Sequence, residues 1–248
     1  MTDKKEVVKI LIEKGKEFLD SPKEFGEFTK EKEVDTLLND LENFPHAFVL
    51  ACIMDRQIPA ERAWKIPYIF SKEIGSFEFE KLSSLTLEEI EKVFQEKKLH
   101  RFNQEMSKNF YLAIQKIKEE YGGDASNIWK DNPGSATIVR RFLEFRGSGI
   151  KIATMATNIL AREFKIPMKD YTCIDISPDV QVKRVFERIG FISSSASNDE
   201  LIYCARELNP EYPGIFDISA WKIGRNWCRP TNPKCDECYL NKFCEKNS

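Results

Sequence analysis

No apolar run in these 248 residues approaches the roughly 20 needed to cross a bilayer; Phe44 to Met54 is among the longest and stops short. A helical membrane span is therefore excluded, and no membrane partner is expected. The N-terminal Met-Thr-Asp-Lys-Lys-Glu alternates charge and lacks the apolar stretch of a secretory signal. That start leads to the expectation of a cytoplasmic protein, nucleoid-associated if prokaryotic. Strand signals are nearly absent, as are internal repeats and low-complexity linkers, so the fold class expected is all-α. Charge of one sign is lacking as well. A net charge of −2 argues against a polycation that coats nucleic acid.

What charge there is lies unevenly. Residues 1–96 carry 14 Lys and Arg against 21 Asp and Glu, whereas residues 97–188 carry 17 against 11. A positive middle inside a near-neutral whole is compatible with one basic face for a polyanion, and equally with solvated helices. Apolar periodicity predicts a helix over Lys5–Leu19, continued in style by Val34–Leu41. Phe48–Met54 has the length of a buried helix, Pro59 starts another, and Thr86 is placed to cap a third. Further helices are predicted over 103–121 and 135–145.

Two later segments carry chemistry. Gly147 and Gly149 lie between two predicted helices, where a short hairpin needs left-handed backbone or close approach. N–H groups turned outward at such a hairpin can hold a phosphate without reading sequence. An ordinary helix–helix turn also accounts for the pair. Lys151 follows in the first turn of the next helix. The positive end of that helix, with partial desolvation, would move an amine down from about 10.4 toward a usable nucleophile; a phosphate-contacting or solvated lysine is the plain alternative. Asp179 precedes an amphipathic helix, either as its N-cap or as a carboxylate that stabilises positive charge growing on a sugar. Asp175 is its competitor.

Cysteine supplies the strongest pattern. Cys52, Cys173 and Cys204 sit singly in apolar surroundings and read as small buried side chains. Cys228, Cys235, Cys238 and Cys244 instead crowd into a Cys-x6-Cys-x2-Cys-x5-Cys loop, which without a secretory signal reads as a metal site. Four thiolates can enclose zinc or an iron–sulfur cube. Only one Cys-x2-Cys knuckle is present, which favours the cube.

This spacing resembles the cysteine loop of endonuclease III and its relatives among the helix-hairpin-helix DNA glycosylases. Ala220-Trp-Lys-Ile-Gly-Arg-Asn-Trp-Cys228, which leads into the loop, is similar to theirs. So is Gly147-Ser-Gly-Ile-Lys-Ile-Ala153, against the family's Gly-x-Gly-x-Lys-x-Ala. Pro178-Asp-Val-Gln-Val-Lys-Arg-Val185 looks like the family's aspartate-bearing segment, and Phe48-Val-Leu-Ala-Cys-Ile-Met-Asp-Arg-Gln57 like the helix and loop that carry a DNA-inserting glutamine. The resemblance covers roughly 45–248, in order.

The resemblance implies two helical lobes with a DNA-binding cleft between them. One is a six-helix barrel-like domain over 43–168 with the helix-hairpin-helix motif, the other an iron–sulfur domain formed by 1–42 and 169–248. It implies a monomer acting in base-excision repair on double-stranded DNA that contains a damaged base, such as an oxidised pyrimidine, or an abasic site. Lys151 would be the Schiff-base nucleophile of a bifunctional glycosylase and abasic-site lyase, with Asp179 assisting. Cys228, Cys235, Cys238 and Cys244 would hold a [4Fe–4S] cluster. Gln57 would fill the gap left by the flipped nucleotide, and Leu99 or His100, in the basic loop with Arg101, would wedge the other strand. Gly147, Gly149, Arg225, Arg229 and Lys234 would face the DNA backbone.

The chain also departs from the family. It has Phe145-Arg146 where Leu-Pro is common, and Asp179-Val-Gln181 where Asp-Thr-His is common. Two alternatives therefore stay open: a monofunctional glycosylase with water as nucleophile, and a non-catalytic, metal-stapled DNA-binding protein.

Overall fold

The structure is a computed structural model describing residues 4–244, and among these the regular elements are all helical. Twelve α-helices follow in order: α1 Lys4–Asp20, α2 Lys32–Asn39, α3 Pro45–Met54, α4 Ala60–Ile74, α5 Phe79–Ser83, α6 Leu87–Glu96, α7 Asn103–Glu120, α8 Ser135–Leu143, α9 Ile150–Arg162, α10 Val180–Arg188, α11 Asn198–Leu208 and α12 Asp217–Asn226. Among the described residues no helix is long and apolar enough to cross a membrane. The chain forms two compact units. The first runs to Lys23, takes Gly134–Val139 and resumes at Thr157; the second holds Glu24–Pro133 and Arg140–Ala156.

The second unit is built around α3. Pro45 opens this helix at a position where its missing N–H is not needed, and all ten residues are buried. Its sides are covered by α2, α4 and α7. This packing assigns α2 to the second unit, so the N-terminal segment divides at Lys23 rather than near residue 42. Phe70, Phe94 and Phe110 meet with ring centroids 4.9–6.2 Å apart, locking α4, α6 and α7 together. Burying each such ring stabilises by roughly 1.5–3 kcal/mol. Thr86 caps α6 as expected, accepting from Glu89 N (3.2 Å) while the Glu89 carboxylate accepts from Thr86 N (2.8 Å).

In the first unit, α1 packs on α12 and on the 3-10 turn Pro213–Phe216. Lys165 donates to Phe18 O and Leu19 O (2.9 and 2.7 Å), satisfying carbonyls at the end of α1. A Cβ on Gly224 would lie 2.7 Å from Gln181 Cβ, so only glycine lets α12 approach α10 this closely.

The lone cysteines differ from one another. Cys52 is fully buried on α3, as expected, whereas Cys173 and Cys204 are only half-buried. Cys173 stands in a loop, where its N–H is held by Ser135 Oγ at 3.1 Å, and Cys204 sits on α11. Apolar neighbours in sequence did not translate into burial at either position.

Candidate DNA interface and active site

In the second unit, α3 ends at Asp55, whose N–H donates to Cys52 O (3.1 Å). Two residues later Gln57 is exposed and held in the left-handed region at φ 56°. A non-glycine residue pays about 1–2 kcal/mol for that conformation, so the surrounding turn must hold it there. Arg56 braces the turn through Glu105 on α7, Nη1 to Oε1 at 2.7 Å. Gln57 is thus a presented tip.

The hairpin between α8 and α9 contains Gly147 at φ 87°. A Cβ there would lie 2.6 Å from Asn109 Nδ2, and Asn109 is itself buried on α7. Gly149 is different: its φ is not positive and a Cβ would meet nothing within 4 Å. The first glycine therefore makes the turn, and the second leaves backbone uncovered. Gly147→Ala is expected to lower unfolding stability by about 1–3 kcal/mol, from backbone strain plus the Asn109 clash. Gly149→Ala should stay within about 0.5 kcal/mol. Equal denaturation midpoints for the two variants would contradict this division of roles.

Lys151 lies in the first turn of α9, its side chain 36% exposed. Its ammonium is 3.6 Å from the Asp55 carboxylate, which is only 6% exposed. The basic loop between α6 and α7 turns out otherwise than expected. Leu99 and His100 are buried, at 3% and 2% exposure, so neither offers a side chain to a DNA strand in this arrangement. Arg62 fixes the loop by donating to Lys98 O (2.6 Å) and Leu99 O (3.3 Å), which turns Leu99 inward. His100 Nδ1 accepts the Phe102 N–H at 3.0 Å, and Nε2 is buried without a hydrogen-bond partner. Arg101 and Phe102 are the exposed neighbours, the guanidinium lying 5.3 Å from the ring centroid. Burial lowers His46 to about 4 and also lowers His100, so both histidines are neutral near pH 7.

In the first unit, Asp179 caps α10, its Oδ1 accepting from Gln181 N at 2.8 Å. It is half-buried, and one carboxylate can cap while keeping an oxygen for other work. Asp175 is occupied instead: buried, it takes a bidentate grip from Arg206 at 2.7 and 2.8 Å. That is a structural clamp. Asp217, also buried, accepts from Ser177 N (2.8 Å) and so fixes the chain two residues before Asp179. Burial raises its carboxyl above the usual range, with Arg162 opposing.

The four clustered cysteines come together around one recess walled by Val185, Ile189, Ile223 and Leu240. None forms a disulfide. Burial pushes the Cys238 thiol up, and the charges of Cys244, Cys228 and Cys235 add to the rise, which shows how near the four lie. Among the described residues no three His, Cys, Asp or Glu side chains surround a point as ligands of one metal ion. Arg184 and Arg188 of α10 staple this loop, donating to Cys228 O (2.7 Å), Gly224 O (3.0 Å), Arg229 O (2.6 Å) and Pro230 O (3.1 Å). Arg229 is exposed, Lys234 pairs with Glu237 at 2.8 Å, and Arg225 stacks 4.9 Å from the Trp221 ring.

No protein-family model matches the chain. Endonuclease III of Thermotoga maritima is 26% identical over 129 residues, 52% of this chain and 51% of that protein. A solved non-covalent endonuclease III–DNA complex superposes with a TM-score of 0.66 at 18% identity, covering 99% of this chain and 97% of the other. The fold is endonuclease III-like. A thermostable thymine-DNA glycosylase superposes with a TM-score of 0.63 at 19% identity, over 98% of this chain and 97% of that one. The sequence match spans about half the length of the Thermotoga relative, while the endonuclease III-like fold extends over nearly all of this chain.

Two side chains escaped sequence reading: Asp55 beside Lys151, and Asn109 under Gly147. Asp55 stood inside a segment singled out for Gln57, and only tertiary contact separates its role from that of any helix-end aspartate. Asn109 stood mid-helix among polar residues, with nothing in the pattern to mark it.

Proposed function

We propose that this protein is a base-excision DNA glycosylase with abasic-site lyase activity, acting on double-stranded DNA that contains a damaged base. The observation that carries the reading is Lys151, half-exposed in the first turn of α9 directly after a glycine hairpin with uncovered backbone. Flipping a nucleotide from the stack costs a few kcal/mol. Phosphate contacts at Gly149 and Arg146 would offset part of that, and Gln57, presented in its strained turn, would occupy the gap. With Leu99 and His100 buried, the second wedge passes to Arg101 and Phe102.

The Lys151 amine would attack C1′ as the glycosidic bond breaks, the base leaving with the bonding electrons and taking up a proton. Ring opening then gives a Schiff base, and loss of a C2′ proton expels the 3′ phosphate. Asp179 would stabilise the positive charge on the sugar. Arg225 and Arg229 would add contacts to the DNA backbone, as would Lys234 once released from Glu237.

The recess lined by four thiols outside any disulfide, with apolar walls and two arginines alongside, fits a [4Fe–4S] cluster held by Cys228, Cys235, Cys238 and Cys244. When bound, it would order the loop and carry no electron in base removal. The two guanidinium groups would offset the negative charge of four thiolates.

One observation favours a second reading. The Lys151 ammonium is paired with the Asp55 carboxylate 3.6 Å away, and an ammonium is not a nucleophile. Water would then attack, with Lys151 contacting phosphate. Incubating purified protein with duplexes bearing a panel of lesions separates the two. Release of base with strand scission is the expected outcome, release without scission selects the water mechanism, and no release from any lesion sinks both.

A further inference from the structure

A buried carboxylate needs a reason to be tolerated, because taking its charge out of water is costly unless a partner compensates. The Asp55 side chain is 6% exposed, and the cation within reach in its own unit is Lys151. Asp55 has no freedom to search for it. α3 is buried along all ten residues and Asp55 is its C-cap, so the carboxylate is fixed by the most deeply packed helix of the unit. The C-terminal end of a helix is also the end that favours a cation. On the other side, α9 begins at Ile150 directly after the hairpin whose turn Gly147 seats on Asn109. Two rigid elements thus converge on one ion pair.

We propose that Asp55 is a positioning residue for Lys151: its carboxylate seats the lysine side chain at the start of α9, where the amine would meet the sugar. The inference rests on the reading of Lys151 as the reactive amine and adds the device that holds it. The other charged or titratable groups around the pair do not replace Asp55. Arg56 is engaged with Glu105 at 2.7 Å. The Cys52 thiol is fully buried and pushed far up, and His100 is neutral. For attack on C1′, one proton must leave the ammonium so that the nitrogen lone pair is exposed.

The test uses the whole protein and a duplex with a preformed abasic site, so that no lesion has to be recognised. The rate of borohydride trapping is followed against pH. Asp55→Asn is expected to move the midpoint down, and Asp55→Glu to keep the wild-type midpoint. An unmoved midpoint in Asp55→Asn overturns the proposal. A second readout needs no chemistry on DNA: lysines are dimethylated with 13C-formaldehyde, and the Lys151 resonance, assigned by its loss in Lys151→Arg, is titrated. If that resonance shifts in Asp55→Asn while the wild type traps nothing, the positioning role stands and the lyase reading falls. If Asp55→Asn does not fold, the 13C-labelled Asp55 carboxyl is titrated in Lys151→Met, where a rise is expected and no change overturns the proposal.

Discussion

Lys151→Ala is expected to abolish the covalent adduct that borohydride traps between this protein and abasic-site DNA, a loss on the order of 10³-fold or more. The size follows from the chemistry. A Schiff base needs a primary amine at the reacting carbon, and no neighbouring group on α9 supplies one: Ile150, Ile152 and Ala153 flank the position. Fold stability should fall modestly, because the buried Asp55 loses its partner, while the half-exposed Lys151 leaves no core cavity behind. Denaturation of the variant therefore separates lost chemistry from lost structure. The same variant discriminates the two mechanisms proposed above. With water as nucleophile, base release would survive, binding would weaken as one phosphate contact is lost, and the log–log salt slope would fall by about 0.9. Retained trapping in Lys151→Ala would place the nucleophile elsewhere and remove the main support for the lyase reading.

The features legible in the sequence are those decided within a few residues. Thr86 and Glu89 form their capping box because the partners are three apart, and Asp179 caps α10 for the same reason. Gly147 announces a turn because left-handed backbone excludes most other residues. The apolar stretch ending at Met54 predicted a buried helix, and that helix is buried all round. What escaped depends on partners far away in the chain. Asp55 and Lys151 meet across 96 residues, and no periodicity links them. Leu99 and His100 stand in a run of lysines and arginine that reads as an exposed basic loop. Arg62, far upstream, pins the backbone there, and both side chains are buried. Asp175 and Asp179 are the same residue type four apart, and Arg206, from α11, decides which of them is occupied.

That local-versus-distant distinction also bears on the cysteine loop, the part of the chain with the least regular structure. Between Cys228 and Cys244 the described backbone contains only a three-residue 3-10 turn, Cys235–Glu237, and Leu240 is the residue buried there. So short a loop cannot order itself by apolar burial, given about 1–2 kcal/mol of backbone entropy per residue. Arg184 and Arg188 hold its entry, but four ligand bonds would supply the larger contribution. Cys238→Ala is therefore expected to strip iron and acid-labile sulfide from the protein and destabilise the first unit by several kcal/mol, structural metal sites contributing about 10–16 kcal/mol in small zinc peptides. Cys173→Ala, at a half-buried thiol outside the loop, should keep its iron and stay within about 1 kcal/mol of wild type. The effect should also travel. The loop is stapled to α10, α10 packs on α12 through Gly224, and Asp179 is the cap of α10. Loss of the loop would loosen the helix that carries the second proposed catalytic group. Hydrogen exchange at the Gln181 amide, bonded to Asp179 at 2.8 Å, reads that coupling directly. Faster exchange there in Cys238→Ala, with Glu89 at the start of α6 unchanged, is the expected pattern. Unaltered protection at Gln181 would separate the cysteine loop from the reacting site.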